Sequence, residues 1–366
     1  MRKLSFVILF SLLSQILYGQ SNDLVHIKAV APEIKYFGRT LVNNIGDVTF
    51  DWAGTYFGFD FIGESCSMKV TETGVSFYNV FLGDTLAHVI RVSRKDTNVV
   101  IASGLNPNNK HRLKVQKRSE GEFGKTTIHH FILPKKGRIY SGNYFNNNRF
   151  IEFIGDSYTA GYGTDGNHRD DPFFIETENA NKTYACIIAR YFNSDYALIA
   201  HSGRGAVRNY GDPLTQSKYT MKDAMMNTLN SDTIHKYNFN QYKPSLVVVN
   251  LGTNDFSTKP YPSEVEFHSA YKKILANIRN NYGEVPVLCV VPRLSEDLEK
   301  YIKTFAAELD DLNLHITASL KGVFNDDSDM GAAWHPGYSG QKKMAMFIIP
   351  YISTILGWEL QDRPVQ

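Results

Sequence analysis

With 366 residues, 43% hydrophobic and 21% charged, the chain can build two domains around sizeable cores and is too apolar to be disordered. Its 39 Lys and Arg against 37 Asp and Glu leave a net charge of +2. That balance excludes a general electrostatic attraction to nucleic acid or to an acidic membrane surface.

The chain opens on Met1-Arg2-Lys3, then an apolar run from Leu4 to Leu17, then Tyr18-Gly19 ahead of Gln20. A basic start, an apolar run too short to span a bilayer and a small residue before the cut predict a signal peptide over residues 1–19. The protein is therefore expected to be secreted or periplasmic. No later stretch approaches a membrane span, so stable membrane insertion is not expected. Cys66, Cys186 and Cys289 are odd in number, lack metal-ligand spacing and sit in apolar surroundings, which predicts buried free thiols.

Residues 20–146 read as β. Short alternating or β-branched runs recur at Val48–Trp52, Tyr56–Ile62, Ser67–Val70, Val75–Leu82, Ala87–Val92, Val99–Ala102, His111–Val115 and Thr126–Phe131. Gly, Asn and Asp punctuate them, as at Gly63, Gly74 and Gly83-Asp84. This spacing predicts a β-sandwich or jelly roll. The basic clusters Lys110–Arg118 and Lys135–Arg138 read as a solvated strand face and a turn. A boundary falls near Lys135–Asn148, where Pro, Gly and three successive Asn break the pattern.

Residues 147–366 alternate between strands and helices. Strands are predicted at Phe150–Ile154, Tyr196–Ala200, Leu246–Leu251, Val285–Val291 and Gly322–Phe324. Helices are predicted at Tyr184–Tyr191, Met221–Leu229, Pro262–Asn280, Glu296–Leu312 and Gly337–Ile355. The alternation means a parallel sheet covered on both faces, with ligands bound at the carboxyl ends of its strands.

Four of those ends carry chemistry. Gly155-Asp156-Ser157-Tyr158-Thr159 places a Ser on a tight turn after a buried strand, similar in logic to a nucleophile elbow; a helix cap is the plainer role for such a Ser. His201-Ser202-Gly203-Arg204-Gly205 is a turn whose free amides can hold an anion. Leu251-Gly252-Thr253-Asn254-Asp255 offers an Asn amide to a developing oxyanion. Trp334-His335-Pro336 offers a base ahead of the last helix. Each has a structural explanation alone; their convergence on one crevice points to an activated serine. Asp156 and Asp255 are expected to brace their turns, and Arg204 and Arg208 to hold theirs by ion pairing.

These blocks resemble those of the SGNH (GDSL-like) hydrolases. Ile151–Ser157, Ser202–Gly205, Leu251–Asp255 and Trp334–Pro336 are similar to carbohydrate esterase family two, as are Gly38-Arg39-Thr40 and Asp51-Trp52-Ala53-Gly54 in the β half. The resemblance implies an N-terminal jelly roll followed by a flavodoxin-like three-layer α/β/α domain, needing no metal or organic cofactor. It implies removal of acetyl groups from plant polysaccharide such as xylan or glucomannan. Carried over by position, Ser157 is the nucleophile and His335 the base, with Gly203 and Asn254 donating to the oxyanion and Gly205 second choice for Gly203. Trp334, Tyr158 and Tyr210 are candidate sugar contacts. One departure stands out: Ala332 occupies the place where most such hydrolases have an Asp three residues before the His. A backbone carbonyl is expected to hold the ring; Asp326, Asp327 or Asp329 folding back is the alternative. The missing Asp also motivates a second reading, a carbohydrate-binding protein with a degenerate hydrolase domain. A third keeps the esterase and changes the ester.

Overall fold

The computed structural model describes residues 24–142, 149–309 and 311–366. The predicted signal peptide and the three boundary asparagines lie outside them.

Two antiparallel sheets face each other in the first half. One orders Leu41–Val42, Val48–Phe50, Thr126–Leu133, Cys66–Glu72 and Asn98–Ala102, with Val25–Lys28 also on Thr126–Leu133. The other orders Arg138–Tyr140, Tyr56–Ile62, Lys110–Lys117, Val75–Leu82 and Thr85–Ser93, with Lys35–Phe37 also on Tyr56–Ile62. The strand Tyr56–Ile62 explains its own aromatic density. Side chains alternate faces along a strand. Phe57, Phe59 and Phe61 therefore fill the sandwich core, while Tyr56 turns to the core of the second half.

The second half is a five-stranded parallel sheet ordered Asp195–Ala200, Phe150–Gly155, Leu246–Asn250, Val287–Val291 and Leu314–Ser319. The first strand in sequence lies between the second and the third, the topology that opens a crevice at the strand carboxyl ends. Helices Tyr184–Tyr191, Glu264–Tyr282, Glu296–Leu309 and Tyr338–Leu356 accompany the sheet. Ser263 and Glu266 start Glu264–Tyr282 with a reciprocal capping box.

Two expected elements are corrected. The helix expected over Met221–Leu229 stops at Ala224, and Asn227–Leu229 pairs instead with Asp232–Lys236. The β-sandwich claims the backbone there. Arg39 donates to the carbonyls of Met225 and Asn227 at 2.5 and 2.8 Å, and Trp52 Nε1 to that of Thr228 at 3.0 Å. Asp51 accepts the N–H groups of Asn230 and Ser231. The last strand is Leu314–Ser319 rather than Gly322–Phe324, which is a turn closed by Val323 N–H on the Leu320 carbonyl. Leu314–Ser319 alternates apolar and polar residues because it is a half-covered edge strand, and so escapes a search for continuous apolar runs.

The three cysteines are free and buried. No helix among the described residues is long and apolar enough to cross a membrane.

Candidate active site

The strand Phe150–Gly155 is buried throughout. Gly155 is required at its end: a Cβ there would lie 2.1 Å from Thr159 Oγ1. Asp156 then caps the short helix Ser157–Ala160, its carboxylate accepting the Tyr158 N–H at 3.1 Å. Burial pushes the Asp156 carboxyl up to about 7. Because Asp156 is the cap, the Ser157 hydroxyl is released from that role. The Ser157 N–H, an orphan donor of the helix start, makes no hydrogen bond to the described residues.

Ser157 Oγ lies 2.8 Å from His335 Nε2, and His335 Nδ1 lies 2.6 Å from the carbonyl oxygen of Ala333. A carbonyl only accepts, so Nδ1 carries the proton and donates it to Ala333. Nε2 then presents its lone pair to the Ser157 O–H. The alternative acids are engaged elsewhere. Asp326 pairs with Arg293, Asp327 with Arg169, and Asp329 with Lys343, Ser339 and the Asn325 N–H. Burial pushes His335 down to about 4, against the opposing pull of the Ala333 carbonyl and the Glu120 charge. The imidazole is therefore neutral, as a base must be, across the ordinary pH range.

The His loop is bent for this purpose. Ala333 and Trp334 have φ of 51° and 60°, a left-handed pair of non-glycine residues. Their N–H groups are fixed by the carbonyls of Asp171 and Arg169, each at 2.9 Å, and that of Ala332 by Gly163 at 2.9 Å.

At the second strand end the Gly203 N–H makes no hydrogen bond to the described residues, and a Cβ on Gly203 would meet nothing within 4 Å. The Gly205 N–H is instead 3.3 Å from Asn209 Oδ1, so the two glycines differ in what they can offer a ligand. Asp255, from the third strand end, braces this turn by accepting the N–H groups of Ala206, Val207 and Arg208 at 3.0, 2.7 and 2.9 Å. Asn254 spends one side-chain N–H on the Arg204 carbonyl at 3.0 Å and keeps the other. The expectation that ion pairing holds Arg204 and Arg208 is corrected: among the described residues neither forms an ion pair. Arg204 bonds Asn230 and lies over the Tyr219 ring, and Arg208 is buried among the carbonyls of Asp212, Leu214, Thr258 and Lys259.

The candidate sugar contacts divide. Tyr210 is 63% exposed and Trp334 52% exposed, the latter with the Arg169 guanidinium 4.5 Å from its ring. Tyr158 is buried, with its ring edge-on to His335 and Phe324, because it lies in the capped helix beneath the site. It serves as a wall behind the imidazole. Sequence reading missed Tyr162, 4.6 Å from His335 and stacked on Phe173, and it missed Glu120. Glu120 belongs to the sandwich half yet accepts the Ser202 N–H at 2.7 Å and the Ser202 hydroxyl. Tyr162 follows the Ser157 helix directly and could have been found there, whereas Glu120 reaches the site only through tertiary structure and no spacing marks it.

Residues 36–141 match the carbohydrate esterase 2 N-terminal domain and residues 151–348 the GDSL-like lipase/acylhydrolase domain. Among relatives, the cellulase/esterase CelE of Acetivibrio thermocellus is 29% identical over 89% of this chain, which spans 40% of that protein's length. An acetylxylan esterase / glucomannan deacetylase of Cellvibrio japonicus is 26% identical, over 87% of this chain and 90% of that protein. A family two carbohydrate esterase from Clostridium thermocellum, solved in complex with cellohexaose, superposes with a TM-score of 0.79 at 28% identity, covering 89% of this chain and 100% of that one. The chain belongs to the GDSL-like lipases and acylhydrolases, carboxylic ester hydrolases, in the two-domain form of the family two carbohydrate esterases.

Proposed function

We propose that this chain is an exported enzyme that removes acetyl groups from plant polysaccharide such as xylan or glucomannan, with Ser157 as nucleophile and His335 as general base. The observation that carries this reading is the 2.8 Å contact of Ser157 Oγ with His335 Nε2, the ring held from behind by the Ala333 carbonyl. His335 takes the hydroxyl proton as Ser157 Oγ bonds to the acetyl carbon. The carbonyl oxygen becomes an oxyanion, stabilised by the N–H groups of Ser157 and Gly203 and the free side-chain N–H of Asn254. The C–O bond to the sugar then breaks, His335 gives its proton to the sugar oxygen, and Ser157 is left acetylated. Water, deprotonated by His335, attacks that ester; acetate leaves and Ser157 regains its proton.

The relatives named acetylxylan esterase and glucomannan deacetylase supply the substrate class. Exposed Tyr210 and Trp334 are suited to pack against sugar faces, and the predicted signal peptide suits an exported enzyme meeting polymer outside the cell. Acetate release from acetylated glucomannan and acetylated xylan, measured for wild type beside Ser157→Ala, tests the reading. Release by wild type, reduced at least about a thousandfold in the variant, is expected. A folded wild type that binds these polymers but releases no acetate would favour a binding protein instead.

A further inference from the structure

Glu120 and Glu178 are both fully buried, the first from the sandwich half and the second from the hydrolase half. Glu178 Oε2 accepts the Glu120 N–H at 3.0 Å, which brings the two carboxyl groups together. Burial and the Glu120 charge push Glu178 well above the usual carboxylate range, so Glu178 holds a proton. Glu120 spends both carboxyl oxygens on one residue, Ser202, accepting its N–H and its hydroxyl. Ser202 precedes Gly203, whose N–H is free.

Resting on the Ser157–His335 reading above, we propose that Glu120 is a positioning residue lent by the β-sandwich. It seats the Ser202–Gly203 turn so that the Gly203 N–H meets the oxyanion. Around His335 stand Tyr158, Tyr162 and Ser157. Around Glu120 stand Glu178, Asp156, Tyr162, Arg204 and Lys117. Lys117 Nζ donates to the Ser76 hydroxyl rather than to Glu120.

The test uses full-length protein, p-nitrophenyl acetate hydrolysis, and Ser157 phosphonylation by a fluorophosphonate probe. For Glu120→Gln, kcat should fall about ten- to a hundredfold with KM changed less than about threefold. Ser202→Ala, which loosens the same turn, should likewise lower kcat more than it changes KM. Glu178→Gln, which mimics a protonated Glu178, should lose less than a tenth of what Glu120→Gln loses. Thermal melting checks that each variant is folded. Wild-type labelling at Ser157 with Glu120→Gln unchanged in rate would overturn this proposal alone. Absent or displaced labelling in wild type would overturn the Ser157–His335 reading and this proposal with it. Should Glu120→Gln not fold, an unaltered kcat in Ser202→Ala would still overturn the seating role.

Discussion

His335 is held in place by backbone that most sequences avoid. The left-handed pair Ala333 and Trp334 costs about 1 kcal/mol per residue or more, and three carbonyls from residues 163–171 hold it there. The bend lets a carbonyl take the place of a carboxylate behind the ring. It also leaves no charge in contact with a buried imidazole, so the ring resists protonation down to about 4. The neutral form is the active base, and the folded enzyme keeps it until pH falls through that value. The acid limb of kcat/KM for an acetyl ester should therefore fall near pH 4. A limb near the ordinary histidine value would mean that the ring is more solvated or more charged than its surroundings here. At this scale the strand-end blocks that carry Ser157, the Ser202–Gly205 turn, Asn254 and His335 stand out in the sequence, whereas the choice of Gly203 over Gly205 came from the family resemblance. Ala333 was not, since any residue can offer a carbonyl and only the loop's φ values aim it.

At the scale of elements, the turn Ser202–Arg208 is set by two glycines with opposite constraints. Gly203 has φ +77° and open space where a Cβ would go. A Cβ on Gly205 would lie 2.1 Å from the Arg208 carbonyl oxygen and 2.4 Å from Asp255 Oδ2. Gly203→Ala should cost about 1 kcal/mol, the ordinary penalty for left-handed backbone. Gly205→Ala should cost about 3 kcal/mol, because the backbone and the Asp255 brace must both shift. Urea denaturation of the two variants checks the order; equal losses would mean that the turn is not braced as described. Strands with long apolar or alternating runs, such as Tyr56–Ile62 and Leu246–Asn250, were readable directly. Strands of two to four residues, such as Leu41–Val42 and Val25–Lys28, carry too little pattern to find. The Asn227–Lys236 hairpin was hidden for another reason: its backbone partners lie far away in sequence, at Arg39, Asp51 and Trp52.

At the scale of the whole molecule, the sandwich is built into the hydrolase half. Arg39 reaches Glu152 inside the central sheet at 3.3 Å, and both are buried. A buried pair of this kind is poor evidence of net stability, yet removing one partner strands the other, so it fixes how the halves meet. Tyr56 donates to Asp195 at 2.7 Å, and Arg118 bonds Asp165 and the Glu176 carbonyl. Glu120 continues this seam to the edge of the catalytic crevice. Composition and periodicity separated the two halves but gave no sign of the seam, because a contact across 82 residues leaves no local pattern. On the proposed reading these parts converge to make Ser157 a nucleophile. Rapid quenching of the enzyme with p-nitrophenyl acetate, followed by peptide mapping by mass spectrometry, should find one acetyl group, on Ser157, absent in Ser157→Ala. An acetyl group on another residue, or turnover that survives in Ser157→Ala, would rule Ser157 out as the nucleophile.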